Sequence, residues 1–110
     1  MRQLEVFWNG VNAGTLTEQF PGKGYRFEYA PSYLGGDNPN ISVTMPQKKV
    51  SFESDSLFPF FANMLPEGTL RRVVCRQHHV DERDLFGILC AMSGADTIGA
   101  VNMKEVKNEE

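Results

Sequence analysis

The chain has 110 residues, 41% of them hydrophobic and 23% charged, with a formal net charge of -3 at pH 7. That length makes one domain able to hold a modest core without metal or disulfide staples, and the composition excludes a fibre, a repeat array or a disordered chain. The acidic balance argues against DNA or RNA as the main partner, because counterion release needs a concentrated basic surface; the short clusters Lys48-Lys49 and Arg71, Arg72 and Arg76 read as solvated faces.

Leu4, Val6 and Trp8 alternate with Glu5 and Phe7, the period-two pattern of a strand. Asn9-Gly10 follows as a hairpin signal, since both residues tolerate the positive φ of a type I′ turn. A two-residue loop there predicts pairing of Trp8 with Val11, Val6 with Ala13 and Leu4 with Thr15. Trp8 then has a role in packing on the sheet face, with anchoring of a partner as the alternative. After the breaker cluster Phe20 to Gly24, Tyr25, Phe27 and Tyr29 alternate as a third strand. The glycines of this cluster lack the lysine and hydroxyl pattern of a phosphate loop. Pro31 to Leu34 fits one helical turn, and Ile41, Val43 and Met45 predict a fourth strand ending at Pro46. Gln47 to Phe52 fits either a loop or a brief strand.

Leu57 to Gly68, LFPFFANMLPEG, is the most apolar stretch, and it reads as a short helix stopped by Pro66 and Gly68. Ser56 is placed to cap it and Pro59 falls in its first turn. Phe58, Phe61 and Leu65 recur at helical spacing, while Phe60 and Met64 extend the apolar surface around the side. Thr69 is the expected cap of a second helix running to about His79, with Leu70, Val73 and Val74 inward and Arg71, Arg72 and Arg76 outward. Asp81 is the expected cap of a third, with Asp84 in its first turn, an apolar stripe of Leu85, Phe86, Ile88, Leu89 and Met92, and Gly94 at its end. Ile98 to Met103 predicts a closing strand. The fold class is α+β: a small antiparallel sheet or partly open barrel of about five strands covered by two to three helices. Residues 1–104 are expected to form the domain, and 105–110 a frayed charged tail.

The opening MRQLEVFW lacks the continuous apolar region of a signal peptide, and no apolar segment approaches the ~20 residues that span a bilayer, so a cytoplasmic location is expected. A structural disulfide between Cys75 and Cys90 is not expected there. Cys75 and His79 share the spacing of half a zinc site, with His78 or Cys90 as further ligands, yet lining thiols and surface histidines account for them more simply; no metal or cofactor is assigned.

Leu57 to Gly68, followed by a charged helix and then by Gly94-Ala-Asp-Thr-Ile-Gly-Ala-Val101, resembles the amino-terminal subdomain of HipA-family serine/threonine kinases, the toxins of bacterial toxin–antitoxin systems. Trp8-Asn9-Gly10 and Gly14-Thr15-Leu16 look like the family's first hairpin, so the likeness covers nearly the whole chain. Asn9, Gly10, Gly94, Asp96 and Gly99 are the family-like positions with structural roles. The chain stops where a kinase core would begin, and it is therefore similar to the free-standing HipS subunit of tripartite HipBST systems. The resemblance implies a regulatory or antitoxin subunit that docks on a separately encoded HipA-like kinase, and it admits a DNA-binding HipB-like protein in the same complex.

The surface for that docking is sought in Phe58, Phe60, Phe61 and Met64, with the turn Leu65, Pro66, Glu67, Gly68 and Thr69. Ordinary core is the simpler role for any single phenylalanine, but a domain this small would have to wrap the helix on every side to bury them all. Relatives often carry tryptophan directly after the proline-acid-glycine turn, where this chain has Thr69, which weighs against inhibition by an inserted aromatic plug. Kinase activity in this chain is not expected. His79-Val80-Asp81 is similar to a catalytic-loop word, but Phe86 stands where a magnesium-binding asparagine belongs, and Asp84-Leu85-Phe86-Gly87 has one residue too many for Asp-Phe-Gly. A homodimer built on the same apolar patch is the alternative from another class.

Overall fold

The computed structural model describes residues 2–42, 44–93 and 101–105. Three strands run in succession, β1 (Arg2–Trp8), β2 (Val11–Phe20) and β3 (Lys23–Tyr29), then come a one-turn helix α1 (Pro31–Leu34) and a strand β4 (Ser51–Ser54). Helices α2 (Pro59–Ala62), α3 (Gly68–His78) and α4 (Leu85–Met92) follow, and β5 (Val101–Glu105) returns to the sheet. All pairings are antiparallel, in the order β4-β3-β2-β1-β5. The fold is α+β as expected, with an open sheet whose edges are β4 and β5. Among the described residues no helix is long and apolar enough to cross a membrane.

Alternation decides which face of the sheet is covered. Leu4, Val6, Leu16, Tyr25, Phe27, Tyr29 and Met103 are buried in one cluster with Phe61, Phe86, Ile88 and Leu89 from the helices. The opposite face carries Gln3, Thr15, Thr17 and Arg26, half-buried, with Gln3 Nε2 donating to Thr17 Oγ1 at 3.3 Å. Trp8 is half-buried against the core, between Val11 and Val101.

The first hairpin turns at Asn9 (φ 46°) and Gly10 (φ 83°), and Trp8 pairs with Val11 as expected. The other two expected pairs are wrong by one residue. Val6 faces Gly14 and Leu4 faces Leu16, because the register shifts between Val6 and Phe7. The bulge has a physical reason: without the extra residue Leu16 and Glu18 would point to the polar face, since a slip of one exchanges the faces of a strand. It also brings Gly14 against β3, where a Cβ would lie 2.2 Å from the carbonyl oxygen of Glu28. Only glycine fits there.

The expected fourth strand at Ile41 to Met45 is not one. Ser42 and Met45 form an isolated bridge, Val43 lies outside the described residues, and the fourth strand is β4. Ile41 and Met45 are buried all the same, because this segment winds around a tyrosine. The Ile41 amide donates to the Tyr29 hydroxyl at 3.2 Å, and that hydroxyl donates to the Met45 carbonyl. Tyr33, stacked on Tyr29 with ring centroids 5.8 Å apart, donates to the Pro39 carbonyl at 2.6 Å. Side chains thus satisfy backbone groups that a strand would have paired in a ladder.

The helix caps also differ from expectation. Phe58, not Ser56, precedes α2 and makes no side-chain cap bond, while Pro59 occupies the first turn as expected. Asp84, not Asp81, caps α4 by accepting from the Gly87 amide at 3.1 Å. Asp81 closes the preceding turn by accepting from the Arg83 amide at 2.8 Å. Gly94, Asp96 and Gly99, the start of the expected closing strand and residues 106–110 of the expected tail lie outside the described residues, while Glu105, expected in the tail, ends β5 opposite Leu4.

Asp84 belongs to a charged network that the sequence did not disclose. Glu18 is the one buried charged side chain among the described residues, 2% exposed. Its Oε1 accepts from Arg2 Nε at 2.8 Å, and its Oε2 from the Tyr25 hydroxyl and the Gly22 amide, each at 3.1 Å. Arg2 also donates to Asp84, Nη2 to Oδ1 at 2.7 Å and Nη1 to Oδ2 at 3.0 Å, and lies 5.3 Å over the Phe86 ring. The Arg2 hydrogen bond holds the Asp84 carboxyl below the usual carboxylate range, with the Gly87 amide adding to it. Burial, and then the charge of Glu18, pushes the Tyr25 phenol up to about 12.

Replacing Gly14 by alanine is expected to cost about 1–3 kcal/mol through overpacking against β3, read as a lower urea midpoint at unchanged slope. The network sets a pH dependence. Asp84 has a folded pKa below its unfolded value, so its contribution is complete above about 4 and is lost as pH falls through the folded value. Tyr25 has a raised one, so its contribution is present below about 10 and is lost as pH rises toward about 12. Arg2→Met is expected to lower stability by roughly 1–3 kcal/mol, a figure discounted because the guanidinium is 37% exposed, and to flatten the acid limb of a stability-against-pH curve.

Candidate docking surface

The phenylalanine-rich stretch divides into a buried and a half-buried side. Helical spacing puts Phe58, Phe61 and Leu65 inward, and all three are buried, Phe61 completely. Phe61 is packed by Phe27 of the sheet (centroids 5.9 Å apart), by Phe58 (6.4 Å) and by Phe60 edge-on (5.1 Å). Phe58, Phe61 and Leu65 are therefore core residues rather than a free surface. Phe60 and Met64, one turn apart, are half-buried at the margin of the core. Of the nine residues from which a surface was sought, these two and the turn after them remain accessible.

That turn is fixed from both ends. Its Pro66 carbonyl accepts from Arg71 Nε at 2.9 Å, which ties the turn back to α3. Gly68 takes φ 58°, a conformation in which any side chain is strained. Pro66 is half-buried, and Glu67, Gly68 and Thr69 are exposed. Glu67 occupies the cap position of α3 without a side-chain cap bond, so the expected capping by Thr69 does not occur.

The orientation of α3 departs from the expected one at Leu70, Val73 and Arg71, while Val74 lies inward and Arg72 and Arg76 outward as expected. Cys75 is its buried residue, Arg71 and Val74 are half-buried, and Leu70 and Val73 are 60% and 44% exposed. Arg71 turns toward the protein because its guanidinium has the Pro66 carbonyl to meet, and its aliphatic stem covers apolar surface. Arg72 and Arg76 face solvent. Apolar spacing alone did not find this, because Leu70 and Val73 fit either side; Cys75 was the residue that marked the inward face.

The residues of the two kinase-like words have structural work. His79 ends α3 in a left-handed conformation (φ 56°), its amide donating to the Cys75 carbonyl. Asp81 pairs with Arg83, and Asp84 caps α4 and binds Arg2. Gly87 is buried within α4, where a Cβ would lie 2.3 Å from Asp84 Oδ2. Of the cysteine and histidine group, Cys75 is buried while His78 and His79 are exposed, and burial pushes the Cys90 thiol up to about 11.

A family model for the HipA N-terminal domain matches residues 4–104. The chain belongs to the HipA N-terminal domain family. It is similar to a solved N-terminal domain of HipA toxin, with a TM-score of 0.74 and 29% identity over 99% of this chain and 96% of that one. An uncharacterized protein of Haemophilus influenzae is 36% identical over 107 residues, 97% of this chain and 95% of that protein. The putative kinase Y4mE of Sinorhizobium fredii is 29% identical over 104 residues, 94% of this chain but 24% of that protein. The HipA N-terminal domain fold thus occurs in relatives of very different length.

The division of the phenylalanines is measurable. Phe61→Ala is expected to cost about 3–5 kcal/mol, as for a fully buried aromatic, and Phe60→Ala or Met64→Ala less than about 2 kcal/mol, by urea denaturation of the purified domain.

Proposed function

We propose that this protein is a non-catalytic interaction module, a HipS-like subunit that docks on a separately encoded HipA-like serine/threonine kinase. The observation that carries the reading is the relation to the longer relative. The same domain makes up 24% of a chain named as a putative kinase, so this fold is used there beside a much larger body. A domain that meets its neighbour within one chain keeps a partly apolar face, and such a face reassociates when the two parts are separate chains. The half-buried Phe60, Met64 and Pro66 and the exposed Glu67, Gly68 and Thr69 supply part of that face. The structural use of Asp81 and Asp84 supports a role without catalysis, because both are held by arginines and backbone amides. In this reading a DNA-binding HipB-like protein joins the complex through the kinase, and the acidic domain itself does not touch DNA.

Copurification of tagged protein with the HipA-like kinase encoded beside it tests the proposal. A stable complex at micromolar concentration is expected, weakened about tenfold or more by Phe60→Asp or Met64→Asp in variants whose folding is confirmed by circular dichroism. A neighbour that is no kinase, or a kinase that fails to bind the folded wild-type protein, overturns it.

A further inference from the structure

The proposed turn runs directly into the exposed large hydrophobic side chains of the described helices. Leu70 and Val73, three apart and so adjacent on one helical face, are 60% and 44% exposed. Gln77, also exposed, continues the stripe by one turn. Arg72 and Arg76, four apart, border it on the Val73 side and point to solvent. The other side of the helix is committed: Cys75 is buried and Arg71 is held by the Pro66 carbonyl. Scattered surface leucines need no explanation, but an apolar pair beside two cations, continuous with a turn that Gly68 closes at a positive φ, forms an organised face.

We infer that the outer face of α3, with Leu70 and Val73 as anchors and Arg72 and Arg76 as a cationic border, docks into an apolar groove with an acidic rim on the kinase partner. The inference rests on the proposed function and names the surface by which it is carried out. Charge selects this occupant. The helix sequence GTLRRVVCRQH contains no acid; Asp81 and Glu82 line the same concavity as the two outward arginines, but Asp81 is paired with Arg83, so the border keeps an excess of positive charge. A second copy of the chain fits less well: a two-fold contact is self-complementary, and one that packs the two helices antiparallel about Val73 would bring the arginine pairs of both copies to the same side. A partner with its own acidic groups meets the stripe without that conflict. Specific interfaces bury about 800 Å² per partner, so the stripe must act with its surroundings. Phe60, Met64 and the Pro66 to Thr69 turn continue the surface on the amino-terminal side of the helix.

The test measures binding of the full chain to the neighbouring kinase by titration calorimetry or surface capture. Leu70→Asp and Val73→Asp, both on the solvent side, are expected to keep the thermal stability of the wild type and to weaken binding at least about tenfold. The double variant Arg72→Glu/Arg76→Glu is expected to weaken binding by a similar factor and to lose the salt dependence that the wild type shows. If the aspartate variants do not fold, the milder Leu70→Ala/Val73→Ala protein decides the apolar part. Wild-type affinity in folded Leu70 and Val73 variants, together with loss in Phe60→Asp, overturns this inference and leaves the proposed function standing. Loss with the apolar variants but wild-type behaviour of the charge-reversed one overturns the acidic rim. A wild-type chain that binds no kinase overturns both readings. A concentration-dependent dimer of the chain alone that dissolves on Leu70→Asp assigns the face to a second copy and overturns the heteromeric assignment.

Discussion

The Glu18 carboxylate is held out of water by four parts of the chain, and their relative positions depend on its being satisfied. It lies on β2, its charge is met by Arg2 at the start of β1, the Tyr25 hydroxyl comes from β3, and the Gly22 amide comes from the turn between β2 and β3. Arg2 in turn reaches Asp84 at the cap of α4. Burial of a carboxylate costs several kcal/mol unless its oxygens are matched, so loss of any partner penalises the arrangement of the others. The network therefore fixes where α4 sits on the sheet, and Phe86, Ile88 and Leu89 follow into the core with it.

Aromatic packing holds the other end of the covered face. Phe27, Tyr29, Phe61 and Tyr33 form a connected series of ring contacts, and two of the rings end in hydroxyls that meet the segment between α1 and β4. That segment needs no ladder because tyrosine oxygens supply its hydrogen bonds. The same series seats Phe61, which leaves Phe60 and Met64 at the margin and sets the direction in which the chain leaves toward α3. A rigid core and a peripheral surface are thus built from one run of side chains. The surface proposed for docking is what remains when the core has taken the residues that face it.

The orientation of α3 follows from polar and apolar requirements together. Inward rotation of Leu70 and Val73 would bury more apolar area, yet it would turn Arg71 away from the Pro66 carbonyl and leave that acceptor to solvent. The small thiol of Cys75 fits the contact with the rest of the protein. The consequence is a helix whose leucine and valine are exposed, a local inconsistency between pattern and placement.

Much of this architecture was legible in the sequence. Alternation at Leu4, Val6 and Trp8 and at Tyr25, Phe27 and Tyr29, the Asn9-Gly10 turn, and the apolar period of α4 are local properties, and backbone geometry converts them directly into strands, a turn and a helix. The α+β class and the HipA N-terminal resemblance rested on the same local words. The inward set Phe58, Phe61 and Leu65 was legible from spacing as well, although which phenylalanines were free was not. Tertiary structure alone decided the bulge at Ala13 and Gly14, since strand register is chosen by which face must be buried. It decided the fate of Ile41 to Met45, where the hydroxyl of Tyr29, 12 and 16 residues away, replaced a ladder. It decided the rotation of α3 and the pairing of Arg2 with Glu18 and Asp84, because a charge 16 or 82 residues away leaves no periodicity in the sequence to announce it.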